Sequence, residues 1–184
     1  MSVTISLTEV QIFTALRSFL ASILPSGVTI IRGQQNQTTL PPTPYVVMTP
    51  ITRTRLATNI DSITPPGTLP TTQDFLTPIR LDVQIDCYST PNAVSVIAAS
   101  DLAQIVQTLW RDDFGVSYFA GLGISVTPLY TGEPRAYDFV NDQDQYEYRC
   151  GFDISMEIDP IITAPQQYAN VLNPALFSVV DQIP

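Results

Sequence analysis

Histidine and lysine are both absent from this chain, and that absence bounds its chemistry more tightly than any residue that is present. Without histidine the commonest general base and the commonest metal ligand are gone. Without lysine there is neither Schiff-base chemistry nor a phosphate-gripping P-loop. The side chains left to do chemistry are carboxylates, two cysteines and eight arginines. Cys87 and Cys150 each fall on an apolar strand face, where a disulfide or a reactive thiol competes with the simpler reading of a small buried hydrophobe. No imidazole is available to draw a proton from either thiol, so the buried reading is preferred. Asp112-Asp113, Asp138, Asp142 and Asp144 invite a metal reading, and Asn141-Asp142-Gln143-Asp144 opens like a calcium loop. It lacks the central glycine and the closing glutamate, so solvated turns fit better. A pair of carboxylates performing hydrolysis is the one enzymatic alternative the composition leaves open. No metal and no cofactor is expected.

The elements that would carry these residues are legible in part. Ser6-Leu7-Thr8-Glu9 reads as a capping box opening a helix, with Val10, Phe13, Leu16, Leu20 and Ile23 as its apolar stripe and Pro25-Ser26-Gly27 as its stop. A strand over 28–32 follows. The stretch 57–77 contains Pro65, Pro66, Gly67 and Pro70 and reads as one long loop that reaches a neighbour. Residues 79–88 alternate, placing Ile79, Leu81, Val83, Ile85 and Cys87 on one face and Arg80, Asp82, Gln84, Asp86 and Tyr88 on the other. The spacing after Pro91-Asn92 predicts a helix over 93–110, ended or bent by Arg111-Asp112-Asp113. A short helical turn is plausible within 114–122. A strand over 124–130 is interrupted or edged by Pro128, and a polar loop through Gly132, Pro134 and Asp142 connects to the last strand. Residues 146–158 alternate again, with Tyr146, Tyr148, Cys150, Phe152, Ile154, Met156 and Ile158 opposite Glu147, Arg149, Gly151, Asp153, Ser155 and Glu157. Two long strands with one wet face predict an α+β fold: a single antiparallel or mixed sheet of about four to five strands, with two main helices on one face. Residues 1–159 are read as that domain. Residues 160–184 are read as an extension packing on its own domain or on a neighbouring subunit.

Composition points to assembly. Charged residues make up 14% of the 184 and hydrophobic ones 45%, whereas an average soluble domain is about 25% charged. A surface so thinly charged is most simply covered by other subunits. The formal charge of −9 disfavours stable nucleic-acid binding. No basic-then-apolar leader opens the sequence and no run approaches the roughly 20 apolar residues that cross a bilayer, so synthesis in the cytoplasm and no membrane association are expected.

The order of pieces resembles a known family. Ile30-Ile31-Arg32-Gly33-Gln34, a bend through Pro41, Pro42 and Pro44, Tyr45-Val46-Val47-Met48-Thr49-Pro50, then Arg55-Leu56 and Asn59 is similar to the neck or tail terminator proteins of tailed bacteriophages. The strand over 79–88, Pro128-Leu129-Tyr130 and the strand over 146–158 extend the likeness. The resemblance implies a virion protein of the tail or neck, assembled in the host cytoplasm as a ring of six copies. Such a ring caps the tail tube protein, stops its polymerisation and joins the tail to the head–tail connector, with DNA passing through its lumen. A head–tail adaptor or another neck protein is the alternative, and a motif-less carboxylate hydrolase the second. Candidate contacts to other subunits are Arg53, Arg55, Asp61, Asp74, Phe75, Leu172, Leu176 and Phe177. Candidate lumen or exposed sheet residues are Arg80, Asp82, Gln84, Asp86, Glu147, Arg149, Asp153 and Glu157.

Overall fold

The computed structural model describes residues 2–33, 41–63, 72–90, 97–140 and 146–165. Its centre is an antiparallel ladder between β6 (Ile79–Ser89) and β9 (Tyr146–Ile158), in unbroken register from Ile79↔Ile158 to Ser89↔Tyr148. Period-two alternation puts Leu81, Val83, Ile85 and Cys87 on the same side as Cys150, Phe152, Ile154, Met156 and Ile158, and all of these are buried. Around this pair a mixed sheet runs in the order β2-β3-β6-β9-β7, with β8 also on β9. Here β2 is Thr29–Arg32, β3 Tyr45–Arg55, β7 Val126–Thr131 and β8 Arg135–Val140. β2 lies parallel to β3; the other pairings are antiparallel.

Three helices cover the apolar face: α1 (Glu9–Ile23), α2 (Ala99–Arg111) and α3 (Asp113–Gly121). Phe19, Trp110 and Phe119, all fully buried, meet at centroid distances of 5.4–5.6 Å, so one aromatic cluster ties one helix to the next. The Trp110 Nε1–H donates to the Ser155 carbonyl at 3.2 Å, in the interval where β7 slips against β9 between Pro128 and Thr131. A buried acceptor next to a broken ladder needs such a donor. Pro128 sits on the edge strand β7, where its missing N–H costs no ladder bond to a further strand.

The α+β class holds, but the sheet is larger than the alternation suggested and a second sheet exists. Its order is β1-β10-β5-β4, with β1 Thr4–Ile5, β4 Ile60–Ile63, β5 Thr72–Leu76 and β10 Ile161–Pro165. The stretch 57–77 is therefore not one loop, since Ile60 pairs with Leu76 and Asp61 with Phe75. Likewise Arg135–Val140, expected as loop, is a strand on β9. These short strands lack an alternating signature because they do not bury one face in the main core. Among the described residues the small sheet makes no substantial contact with the helices or the large sheet.

Helix starts also differ from expectation. Thr8, not Ser6, caps α1: its Oγ1 accepts from the Gln11 N–H, while Gln11 Oε1 accepts from the Thr8 N–H at 2.8 Å. Ser6 is engaged elsewhere, its N–H donating to the Ile161 carbonyl and its Oγ accepting from the Ile161 N–H, each at 2.9 Å. Val10, assigned to the apolar stripe, is 69% exposed. α2 begins at Ala99 rather than 93, with the Ala99 N–H donating to Ser89 Oγ. Asp112 ends α2 and caps α3, which makes α3 a full helix rather than a turn. Because Thr8 holds the first turn of α1, Thr8→Ala is expected to lower unfolding free energy by about 1 kcal/mol in urea titrations at unchanged m-value.

Candidate functional site

The eight residues expected on an exposed sheet face come from β6 and β9, and the register places them there together. Arg80 lies opposite Glu157, Asp82 opposite Ser155, Gln84 opposite Asp153 and Asp86 opposite Gly151, with Tyr88 opposite Arg149. Two carboxylates on this face are turned into fasteners. Asp82 accepts from Thr52 Oγ1 at 2.9 Å, Ser155 Oγ at 2.5 Å and Arg80 Nη2 at 3.2 Å, stitching β3, β6 and β9. Asp86, 5% exposed, accepts from Arg149 Nε and Nη2 at 3.1 and 3.0 Å and from Gln84 Nε2 at 3.1 Å. Gly151 makes room for this pair, since a Cβ there would meet Asp86 Oδ1 at 2.5 Å. The Arg149 guanidinium lies within reach of two ring faces, 5.8 Å from the Tyr88 centroid and 5.4 Å from Tyr137 on β8. Tyr88 in turn stacks on Tyr45 at 4.5 Å.

Burial works against charge on Arg149, but the Asp86 carboxylate and the facing tyrosines outweigh it and raise its pKa. Burial likewise raises the phenols of Tyr45 and Tyr88. The cluster is thus a fixed ion pair roofed by neutral aromatic rings. The face's two arginines on β6 and β9 are occupied by acids within the sheet, Arg135 of β8 shares the face opposite Gly151, and Asp153 and Glu157 make no ion pair among the described residues. The face presents surplus negative charge.

A second surface is built by the small sheet. The row Asp61, Phe75, Ile162 and Ile5 runs across its four strands. Ile5 is 50% and Ile162 41% exposed. Asp61 and Phe75 therefore come together on one face, whereas Asp74 lies on the other, accepting from Thr163 Oγ1. Ile5 and Ile162 were missed in the sequence, where the β-branched run Ile161-Ile162-Thr163 was the available signal. Arg53 and Arg55 stand at the base of this arm. A bulge between Pro50 and Thr52 turns both toward the helix side of the sheet. Arg53 Nη2 pairs with Glu9 Oε2 at 2.8 Å, and Arg55 Nη2 donates to Asn59 Oδ1 at 2.6 Å. Leu172, Leu176 and Phe177 lie outside the described residues.

The remaining candidates have structural roles. Asp112 accepts from the Phe114 N–H at 3.0 Å and Asp113 from Ser117 Oγ at 3.4 Å, so this acidic pair starts a helix. Asp138 lies in β8; Asp142 and Asp144 fall outside the described residues. Among the described residues no group of three or more cysteines and acids is placed to hold a metal. Cys87 and Cys150 face each other across the β6–β9 ladder as free, buried thiols, and burial raises both pKa values.

Breaking the ion pair from one side leaves a buried carboxylate without its cation, held by Gln84. Arg149→Met is expected to destabilise by about 2–3 kcal/mol, and adding Asp86→Leu to recover part of that loss in a double-mutant cycle. A raised pKa favours the protonated thiol in the folded state, so an aromatic disulfide reagent at pH 8 should titrate neither cysteine in native protein and both in urea.

Compared with known proteins, residues 10–176 match the family described as phage neck terminator protein. No curated protein matches the chain.

Proposed function

The chain belongs to the phage neck terminator family, a structural component of the virion, and from that premise we propose that it acts as a ring-forming terminator. In this reading copies assemble side by side, the ring caps the tail tube protein and stops its growth, and its other rim receives the head–tail connector. The function is mechanical, with no reaction catalysed. The observation that carries it is the small sheet, an arm with exposed Ile5, Ile60 and Ile162 that, among the described residues, has no substantial contact with the helices or the large sheet. A sheet with uncovered apolar rows needs a partner surface.

The outer face of β6 and β9 suits the lumen. Its arginines are neutralised by Asp82 and Asp86, and its surplus acids would not retain phosphate, so DNA would move past without sticking. The arm, with Asp61, Phe75 and the nearby Arg53 and Arg55, suits contact with a neighbouring subunit or the tube.

Co-expression with the cognate tube protein tests this reading. A terminator yields short tubes closed at one end, with this chain found at the tip by immunogold labelling. Tubes of unlimited length with unlabelled ends would favour the head–tail adaptor role instead.

A further inference from the structure

On the far side of the large sheet from β7, α1 and the edge strand β2 enclose a groove of about 410 Å³. Its floor is Phe13, Ile30 and Met48. Val10, 69% exposed, stands on the rim with Arg17 and Arg32. Arg32 is already engaged, paired with Glu9 and lying 4.4 Å above the Phe13 ring. Arg17 is exposed and makes no ion pair among the described residues. Among those residues the outer edge of β2 also has no strand partner, so a row of backbone donors and acceptors borders the apolar floor. An apolar floor, an open strand edge and one unengaged cation together describe a seat for an extended apolar peptide with an acid at one end.

The chain carries such a peptide. After Pro174 the run 175–180 reads Ala-Leu-Phe-Ser-Val-Val, of strand length and without proline, and Asp181 follows it. No basic residue occurs anywhere in 166–184. The family match ends at residue 176, two residues into this run. The direction of departure selects whose groove it fills. Ile161, the first residue of β10, is tied to Ser6 just before α1, and β10 runs antiparallel to β1. β10 therefore heads away from the start of α1, a direction that favours the groove of another copy over its own. At roughly 3.3 Å per residue, residues 166–184 can reach about 60 Å.

We propose that the run 175–180 of one copy adds as a strand to the β2 edge of the next copy, its apolar side chains on Phe13, Ile30 and Met48 and its Asp181 against Arg17. Each subunit then gives a strand on one side and receives one on the other, a head-to-tail contact that closes into a ring. The inference rests on the ring reading above and names the surface that joins its members.

Paired single-cysteine variants test it. Val10→Cys is co-expressed with Leu176→Cys and oxidised mildly; a parallel series uses Leu172→Cys or Val179→Cys. Covalent dimers are expected from at least one mixture and from none of the variants alone. Arg17→Asp or Asp181→Arg should each cut the dimer yield about tenfold, and the two together in one chain should restore it. Absence of dimers from every mixture, while native mass still shows an assembly, overturns the docking and leaves the ring reading intact. A crosslink formed only within one chain of the Val10→Cys/Leu176→Cys double variant overturns it as well, by placing the tail on its own groove. If the native mass is that of a single chain, both readings fall.

Discussion

The β6–β9 ladder is the constraint on which the rest of this subunit depends. Its unbroken register forces every second residue of two long strands to the same side. One side becomes the floor of the helical core and the other becomes a charged wall. A slip of one residue would bury Arg80, Asp82 and Arg149 and expose Leu81, Ile154 and Met156. The wall also guards the register. Asp82 bonds Thr52 and Ser155 on the two flanking strands, and Asp86 holds Arg149 across the ladder, so the polar contacts are made only in this alignment. Gly151 belongs to the same logic, since any side chain there would displace the Asp86 carboxylate.

The same ladder explains the division of labour in the molecule. Helices α1 to α3 seal one face around Phe19, Trp110 and Phe119, so this part of the domain is complete in itself. The small sheet and the α1–β2 groove are not. One is a thin arm with isoleucines in solvent, and the other is an apolar trough beside an open strand edge. A domain closed at its centre and, among the described residues, open at two edges is suited to building a larger object. A protein with so few charges has little else with which to keep those edges soluble.

How far this could be read beforehand follows from where burial is one-sided. β9 matches its expected span because alternation is continuous from Tyr146 to Ile158. β6 and the body of α1 are equally plain. The outer-face residues followed directly, since alternation assigns them by default. The small sheet was illegible because it pairs residues as distant as Ile5 and Ile162 without burying either, leaving a Pro- and Thr-rich stretch with no periodicity. The bulge after Pro50 was also hidden, and it decides which way Arg53 and Arg55 point. Ser6 and Thr8 both fit a capping pattern; tertiary pairing with Ile161 claimed one and left the other to the helix. Tyr137 over Arg149 depended on a strand, β8, which is short and follows directly on the turn residues Gly132 and Pro134, so it was read as part of a loop.

The central claim is that the uncovered edges of this subunit are closed by further copies of itself. Native mass spectrometry of the purified full-length protein at micromolar concentration addresses it directly. The account predicts one dominant species at a whole-number multiple of the 20.2 kDa chain, reached without any other virion component. A dominant single-chain mass that persists as the concentration is raised would contradict it.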